Sequence, residues 1–372
     1  MKKIVGLLLI LLVIAGLSGH LWAEYLDVGD DPERLQIAST VQIAVPVDYE
    51  FKGWSPDGEF FAFARSMNYT AKGGLDISKP DRTVIYSKTG QAVKTIDGAL
   101  VFWMPDSNSV LVTETIRNLY LYNLKTNSKK MIYIFFDEPD EIKCLIPETG
   151  ELIYRKSHDI NKYNFNTDKS ELIYKSQNLT GFNIQSITKD DLILICRKLE
   201  NDGYDYLYKY NIPTKKLSKF FPEPILSDVY LFRTRTNKLI IYFDGNVCKY
   251  FIDEKGNTIF KFSSAVFKTP KRYEEFSTYA NIDYLSFAPN GRIFASTVGK
   301  FDDEVSSILS SDIYLINQSG KMKRLTDTPD KKELVLGWSP QGDRLIYSDS
   351  NKSSYYYEDI NTKYYMINLI KN

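Results

Sequence analysis

Short apolar stretches separated by polar turns recur along the chain after its first forty residues. FFAFA at 60–64, LILIC at 192–196 and RLIYS at 344–348 are typical, each about five residues long and rich in aromatic or β-branched side chains. The 27 Tyr and 21 Phe among 372 residues fit the same picture, because such side chains pack well on half-buried pleated surfaces. The pattern predicts an all-β protein.

The stretches come in groups of four, with one group about every 40–55 residues. Full copies of a turn preceded by tryptophan are Trp-Ser-Pro-Asp-Gly at 54–58 and Trp-Ser-Pro-Gln-Gly at 338–342, and weaker copies lie at 103–107, 145–149 and 287–291. Two more groups, beginning near Phe182 and Val229, have lost the proline turn but keep the spacing. Seven groups of four strands predict a seven-bladed β-propeller, with six or eight blades as alternatives and a sandwich of ordinary hairpins as the competing fold.

The last group supplies three strands before the chain ends, and the segment 41–47 ahead of the first group belongs to none. Pairing 41–47 as the outer strand of the last blade would remove two exposed edges at once. Pro46 is acceptable there because an outer strand has one free side. We therefore expect a propeller over 41–372, preceded by a polar linker over 24–40.

The two full turn motifs, with the weaker copies at 103–107 and 287–291, resemble the repeats of TolB-like and WD40-like (PD40-type) propeller proteins. The likeness covers most of 41–372. It implies a propeller, commonly six-bladed and occasionally seven- or eight-bladed, and a non-catalytic docking platform at the cell envelope. It implies no particular partner.

The amino terminus has a different composition. Lys2 and Lys3 precede an apolar run that reaches Trp22, which is the order found in export signals. Leu21 fits a signal-peptidase site poorly, although the small Ala23 follows, and the run is close to the ~20 residues that span a bilayer. Residues 1–23 are expected to be either a cleaved signal peptide or a membrane-anchoring helix, and both place the rest of the chain outside the cytoplasm.

The overall charge disfavours nucleic acid as a partner, and the cysteine content disfavours a disulfide framework. The 47 basic and 47 acidic residues balance, so no overall field favours nucleic acid. Cys144, Cys196 and Cys248 each lie inside an apolar stretch, as buried thiols do, and we expect three core thiols rather than a disulfide framework.

Catalytic motifs are scarce. The two histidines, His20 and His158, are too few for the usual zinc or manganese site, so no metal and no cofactor is predicted. The sequence holds no G-x-S-x-G, no phosphate-binding loop and no dinucleotide fingerprint. Loop carboxylates are plentiful, so a glycosidase-like pair stays as an alternative.

Loop length indicates where a binding surface would lie. In a four-stranded blade, the loops between the second and third strands and the connections between blades emerge on one face. The long segments 66–83, 263–282, 299–312 and 348–363 all belong to that face, and blades six, seven and one are neighbours in a closed ring. Exposed tyrosines and carboxylates suit protein or carbohydrate contacts. The predicted binding residues are Tyr69, Tyr273, Tyr279, Asp302, Asp303, Glu304, Tyr355, Tyr356 and Tyr357.

The function that these observations predict is an extracytoplasmic, non-catalytic interaction module whose partner is a protein or a component of the cell envelope. The alternative is a carbohydrate-active propeller enzyme that uses a pair of loop carboxylates. The sequence makes no prediction of oligomeric state.

Overall fold

The computed structural model describes residues 26, 30–65, 81–115, 118–132, 142–156, 159–175, 179–198, 205–225, 229–234, 238–244, 249–262, 281–302, 307–328, 331–351 and 362–372. Within them the chain forms seven antiparallel four-stranded sheets, so the all-β fold and the count of seven blades are confirmed. The first strands of four pairs of neighbouring sheets contact one another, namely those of the first and second, third and fourth, sixth and seventh, and seventh and first sheets in chain order, which makes the first strands the inner strands of a ring.

The strands run in chain order from the inner to the outer edge of each of the first six blades. Blade 1 contains β2 (Glu50–Trp54), β3 (Phe60–Arg65), β4 (Arg82–Ser87) and β5 (Ala92–Asp97). Blade 2 contains β6 (Ala99–Trp103), β7 (Ser109–Thr115), β8 (Asn118–Asn123) and β9 (Lys129–Ile132). Blade 3 contains β10 (Ile142–Leu145), β11 (Leu152–Lys156), β12 (Asp159–Asn164) and β13 (Lys169–Tyr174).

The second half of the ring repeats the arrangement. Blade 4 contains β14 (Leu179–Ser186), β15 (Asp191–Lys198), β16 (Asp205–Asn211) and β17 (Lys216–Lys219), and blade 5 contains β18 (Tyr230–Arg233), β19 (Leu239–Asp244), β20 (Lys249–Ile252) and β21 (Thr258–Phe262). Blade 6 contains β22 (Asn281–Phe287), β23 (Ile293–Asp302), β24 (Ser307–Asn317) and β25 (Met322–Arg324). Blade 7 contains β26 (Lys331–Trp338), β27 (Arg344–Asn351), β28 (Lys363–Lys371) and, as its outer strand, β1 (Leu35–Ile43).

The ring is closed by pairing the two ends of the described chain. β1 lies antiparallel to β28 from Leu35 opposite Lys371 to Ile43 opposite Tyr364. The pattern predicts 41–47 for this strand, whereas β1 begins six residues earlier and ends before Pro46. The difference has a simple cause: only the end residues of β1 are buried, and most of its middle faces solvent, so an apolar run is a poor guide to an outer strand.

Buried side chains form seven clusters, and each fills the space between two neighbouring blades. The cluster between blades 7 and 1 joins Ile43 and Met366 to Phe61 and Phe63. The others are marked by Leu100 between blades 1 and 2, Met104 between 2 and 3, Cys144 between 3 and 4, Phe221 between 4 and 5, Phe251 between 5 and 6, and Trp338 between 6 and 7. In the described part of the chain, every pair of neighbouring blades is therefore joined by a buried apolar cluster.

The repeated turn links neighbouring blades. In the copy at 54–58, Gly58 has a positive φ of 68° and its N–H donates to the Ser55 carbonyl at 2.8 Å. The tryptophan before each such turn lies against the previous blade, so that Trp103 Nε1 donates to the carbonyl of Gly53 at 3.2 Å. Among the described residues, the indole N–H of Trp338 has no such partner.

Candidate functional site

The ring has two faces with different connections. We call the face with the turns between first and second strands, and between third and fourth strands, the turn face. The opposite face, with the second-to-third loops and the connections between blades, is the loop face. Of the predicted binding residues, Tyr69, Tyr273, Tyr279, Asp303, Glu304 and Tyr355–Tyr357 lie outside the described residues. Asp302 ends β23 with its backbone paired to Ser307, and its side chain also lies outside them.

The segment 299–312 is mostly strand rather than the predicted loop. β23 continues to Asp302 and β24 begins at Ser307. From the matching turn-face end, β23 has ten residues where β7 of blade 2 has seven. At about 3.3 Å per residue, the blade 6 hairpin therefore extends about 10 Å further along the loop-face direction. The sequence indicates a loop at this point because 302–307 is mostly polar.

Three carboxylates converge where this hairpin meets blade 7, and we call them the acidic seam. Asp312 comes from β24, Glu333 from β26 and Asp349 from β27, and they are 0%, 1% and 9% exposed. Asp312 Oδ2 lies 2.9 Å from Nη2 of Arg324 and its Oδ1 accepts the Thr328 N–H at 3.0 Å.

The other two seam carboxylates have partners of their own. Thr326 Oγ1 donates to Glu333 Oε2. The ammonium group of Lys331 lies 3.3 Å from Asp349 Oδ1. The strand that carries Glu333 is fixed by Ser311, whose hydroxyl accepts the Glu333 N–H at 2.9 Å and donates to its carbonyl at 2.8 Å. The seam is therefore a bonded polar layer above the apolar cluster of blades 6 and 7.

Burial dominates the electrostatics of the seam. It raises the pKa of Glu333 to about 7, and the negative charges of Asp312 and Asp349 act in the same direction. The hydroxyl of Thr326, which donates to the carboxylate, opposes that rise, and so does the nearby hydroxyl of Thr328. A carboxyl that titrates near neutrality can hold or release a proton at physiological pH, which is the chemistry a general acid or a pH-sensitive contact requires.

Sequence reasoning missed the seam because its members are separated in the chain. The usable signal was a break in alternation: Glu333 occupies an inward-facing position of β26, in register with Val335 and Gly337. A charged residue on the core side of a strand requires a buried partner, and this requirement could have singled it out.

A second polar site lies on the turn face. A cavity of about 320 Å³ between blades 2 and 3 is lined by Met104, Phe165, Glu148 and Glu151, among others. Glu151 accepts hydrogen bonds from Asn164 Nδ2 and from the Thr149 hydroxyl, each at 3.0 Å. Glu148 lies 3.7 Å from Nη2 of Arg233. These carboxylates bond within the protein, as residues that fix a turn do.

Among the described residues there is no metal-binding cluster, no reactive thiol and no membrane-spanning helix. No group of three or more His, Cys, Asp or Glu there could hold a metal ion. Cys144 is a buried free thiol whose pKa burial raises to about 12, as expected of a core cysteine. The side chains of Cys196 and Cys248, and the segment 1–23, lie outside the described residues. No helix in the described part is long and apolar enough to cross a membrane.

Comparison with family models and with curated proteins finds no match to either. Among solved structures, the chain is similar to an oligogalacturonate lyase from Vibrio parahaemolyticus, with 12% identity, a TM-score of 0.56, and 90% of this chain and 97% of that one covered. It is equally similar to the propeller domain of Cps50 (Swd1) from Myceliophteria thermophila, with 12% identity, a TM-score of 0.55, and coverage of 89% and 99%.

A third similar structure is the propeller domain of the Trilobed protease from Pyrococcus furiosus, described as having an open velcro topology. It shares 11% identity with a TM-score of 0.53, over 83% of this chain and 91% of that one. At such identities the likeness concerns the fold alone, and it extends equally to a lyase and to the propeller domains of two other proteins, one of them a protease. The chain is a seven-bladed β-propeller similar in fold to WD40 and other propellers.

Proposed function

We propose that this protein is an extracytoplasmic, non-catalytic interaction module, tethered to a membrane by residues 1–23, which binds a protein or cell-envelope partner through the loop face of blades 6, 7 and 1. The observation that carries the proposal is the extended β23–β24 hairpin, which makes the loop face uneven on blade 6. A projecting hairpin beside the long segments 66–83 and 348–363 gives a partner a surface that it can match in shape. The TolB-like character of the repeats belongs to the same proposal.

The seam supports a surface rather than a reaction pocket. Asp312 and Glu333 are 0% and 1% exposed, and Asp312 is ion-paired with Arg324. Carboxylates in such positions hold a hairpin in place. The seam thus fixes the base of the hairpin whose tip is proposed to meet the partner.

The test is binding by the domain 24–372 to membrane extract under cross-linking, followed by affinity measurement with the captured component. A variant with Tyr355→Ala, Tyr356→Ala and Tyr357→Ala is expected to bind at least about tenfold more weakly, because buried tyrosines contribute strongly to interfaces. The matched control is Leu172→Ala, an exposed apolar side chain (51%) on the outer strand of blade 3, which should bind as wild type. Equal capture of every component by the triple variant would refute the proposed surface.

A second candidate is a carbohydrate-active enzyme, favoured by the raised pKa of Glu333 beside two further carboxylates. In this reading Glu333 is the acid and Asp349 the second carboxylate. Reducing-end and unsaturated-product assays on neutral and acidic polysaccharides would test it, with Glu333→Gln and Asp349→Asn as variants. Turnover by wild type that both variants lose would establish this candidate over the first.

A further inference from the structure

The route of the chain between the predicted anchor and the ring gives the propeller a defined orientation. Leu26 and residues 30–34 precede β1, and we call them the N-terminal strap. The strap includes a short 3₁₀ turn at Pro32–Arg34, where the Asp31 side chain accepts the Glu33 N–H at 3.1 Å. It then continues directly into the strand that closes the ring.

The strap lies on the turn face of blades 6 and 7. Leu26 donates its N–H to the Gln341 carbonyl at 3.2 Å, in the first turn of blade 7, and its side chain packs against the cluster between the two blades. The Asp30 carbonyl accepts from Asn317 Nδ2 at 2.8 Å, in the last turn of blade 6.

Charged contacts fix the next residues on the same face. Asp31 Oδ1 lies 2.7 Å from the ammonium group of Lys321. Lys323 Nζ donates to the carbonyl of Leu35 at 2.6 Å, and the N–H of Asn372 donates to the Arg34 carbonyl at 2.8 Å. Leu26, Asp30 and Asp31 are therefore held to the ring individually, so the strap is not a free linker.

The distance from the strap to the apolar run is short. Four peptide steps separate Trp22, where the apolar run ends, from Leu26, and a fully extended chain covers at most about 3.6 Å per residue, or about 14 Å in all. Tryptophan at the end of a spanning segment sits at the membrane–water interface. An anchored chain thus holds the turn face of blades 6 and 7 within about 14 Å of the headgroups.

The surface beside the strap has apolar side chains exposed to meet that layer. Ile37 and Ile370 are 41% and 48% exposed, and they lie on adjacent rungs of the β1–β28 ladder, close to its turn-face end. Because successive rungs alternate sides, the two side chains project from opposite sides of the blade 7 sheet at this end. Insertion of such exposed isoleucines into the interfacial region of a bilayer is favourable in free energy, because it removes apolar surface from water.

We propose that the turn face at blades 6 and 7 rests on the lipid bilayer, with Ile37 and Ile370 in the headgroup region, so that the loop face points away from the membrane. The proposal rests on the membrane tether of the proposed function. It assigns the two faces to two partners: lipid on the turn face, and the protein or envelope component on the loop face.

The test uses the full chain in vesicles of phosphatidylcholine and phosphatidylglycerol, with a photoreactive benzophenone side chain at one position. Positions 370 and 372 probe the turn face, and position 47, on the loop face and 53% exposed as Val47, is the matched control. We expect lipid adducts at 370 and 372 about tenfold above those at 47, because a short tether gives a high effective concentration. A flexible ten-residue insertion (about 35 Å when extended) between 23 and 24 should lower the adducts at 370 without preventing flotation.

Each outcome has a distinct meaning. Flotation with adducts mainly at 47, or equally at all three positions, would overturn the orientation and leave the tether standing. Loss of flotation, or an intact mass showing cleavage near Ala23, would remove the tether and the orientation together. Partner binding by the soluble domain would still report separately on the loop face.

Discussion

Replacing Glu333 by glutamine is expected to change the pH dependence of stability. The ordinary pKa of 4.5 is raised to about 7 in the folded protein, so the folded state binds this proton more tightly than the unfolded chain does. Stability from this group is fully present below pH 4.5, declines as the pH rises between 4.5 and about 7, and is lost above that. The rise in pKa corresponds to about 3 kcal/mol. Since Glu333 is 1% exposed, solvent screening reduces this little.

Glu333→Gln keeps the shape and a hydrogen-bonding oxygen but cannot ionise. We expect the variant to be about 2–3 kcal/mol more stable than wild type at pH 8 and close to wild type at pH 4.5. The assay is urea unfolding of the domain 24–372 followed by tryptophan fluorescence at pH 4.5, 6, 7 and 8. The control is Glu171→Gln, whose side chain is 68% exposed and which should leave the wild-type slope unchanged. Identical slopes in wild type and Glu333→Gln between pH 5 and 7 would refute the assignment of this proton to Glu333.

Three further predictions concern the ring. Gly58→Ala should lower the free energy of unfolding by about 1–2 kcal/mol, because φ is positive and the new Cβ would lie 1.9 Å from Oε1 of Gln341. Adding Gln341→Ala should recover the steric part of this loss, as thermal unfolding would show. Trp103→Phe should destabilise the protein by about 1 kcal/mol more than Trp338→Phe, since the Trp103 indole N–H bonds to the preceding blade and that of Trp338 has no partner in the described part of the chain. Equal losses of stability in urea would contradict this. Deletion of 1–43 should abolish cooperative unfolding and cause aggregation on gel filtration, whereas deletion of 1–25 should not.

The blades were predictable because their signals are local. The residues at 54–58 specify a turn whose Gly58 requires a positive φ, and the tryptophan before such a turn packs on the preceding blade in the copies at 54 and 103. Such signals survive in a single sequence because each depends on five neighbouring residues. Repetition then fixes the number of blades.

The closing strand and the acidic seam were harder to predict from the sequence, for different reasons. β1 is an outer strand whose middle faces solvent, so no alternation of apolar residues marks its bounds. The seam joins Asp312, Glu333 and Asp349 from three strands of two blades, and only the folded ring brings them together. The predicted loop tyrosines lie outside the described residues, and their role stays a prediction.

The pairing of β1 with β28 also determines when the molecule becomes complete. During synthesis, Leu35 emerges more than three hundred residues before its partner Lys371. Until then β1 lacks its partner and exposes unpaired edges, and contacts of such long sequence separation form slowly. A prematurely terminated product can form its early blades but never forms the β1–β28 pairing that closes the ring. Proteases that attack exposed strand edges can therefore distinguish it from the finished protein. Pairing of the first strand, β1, therefore requires that the last strand, β28, has been synthesised.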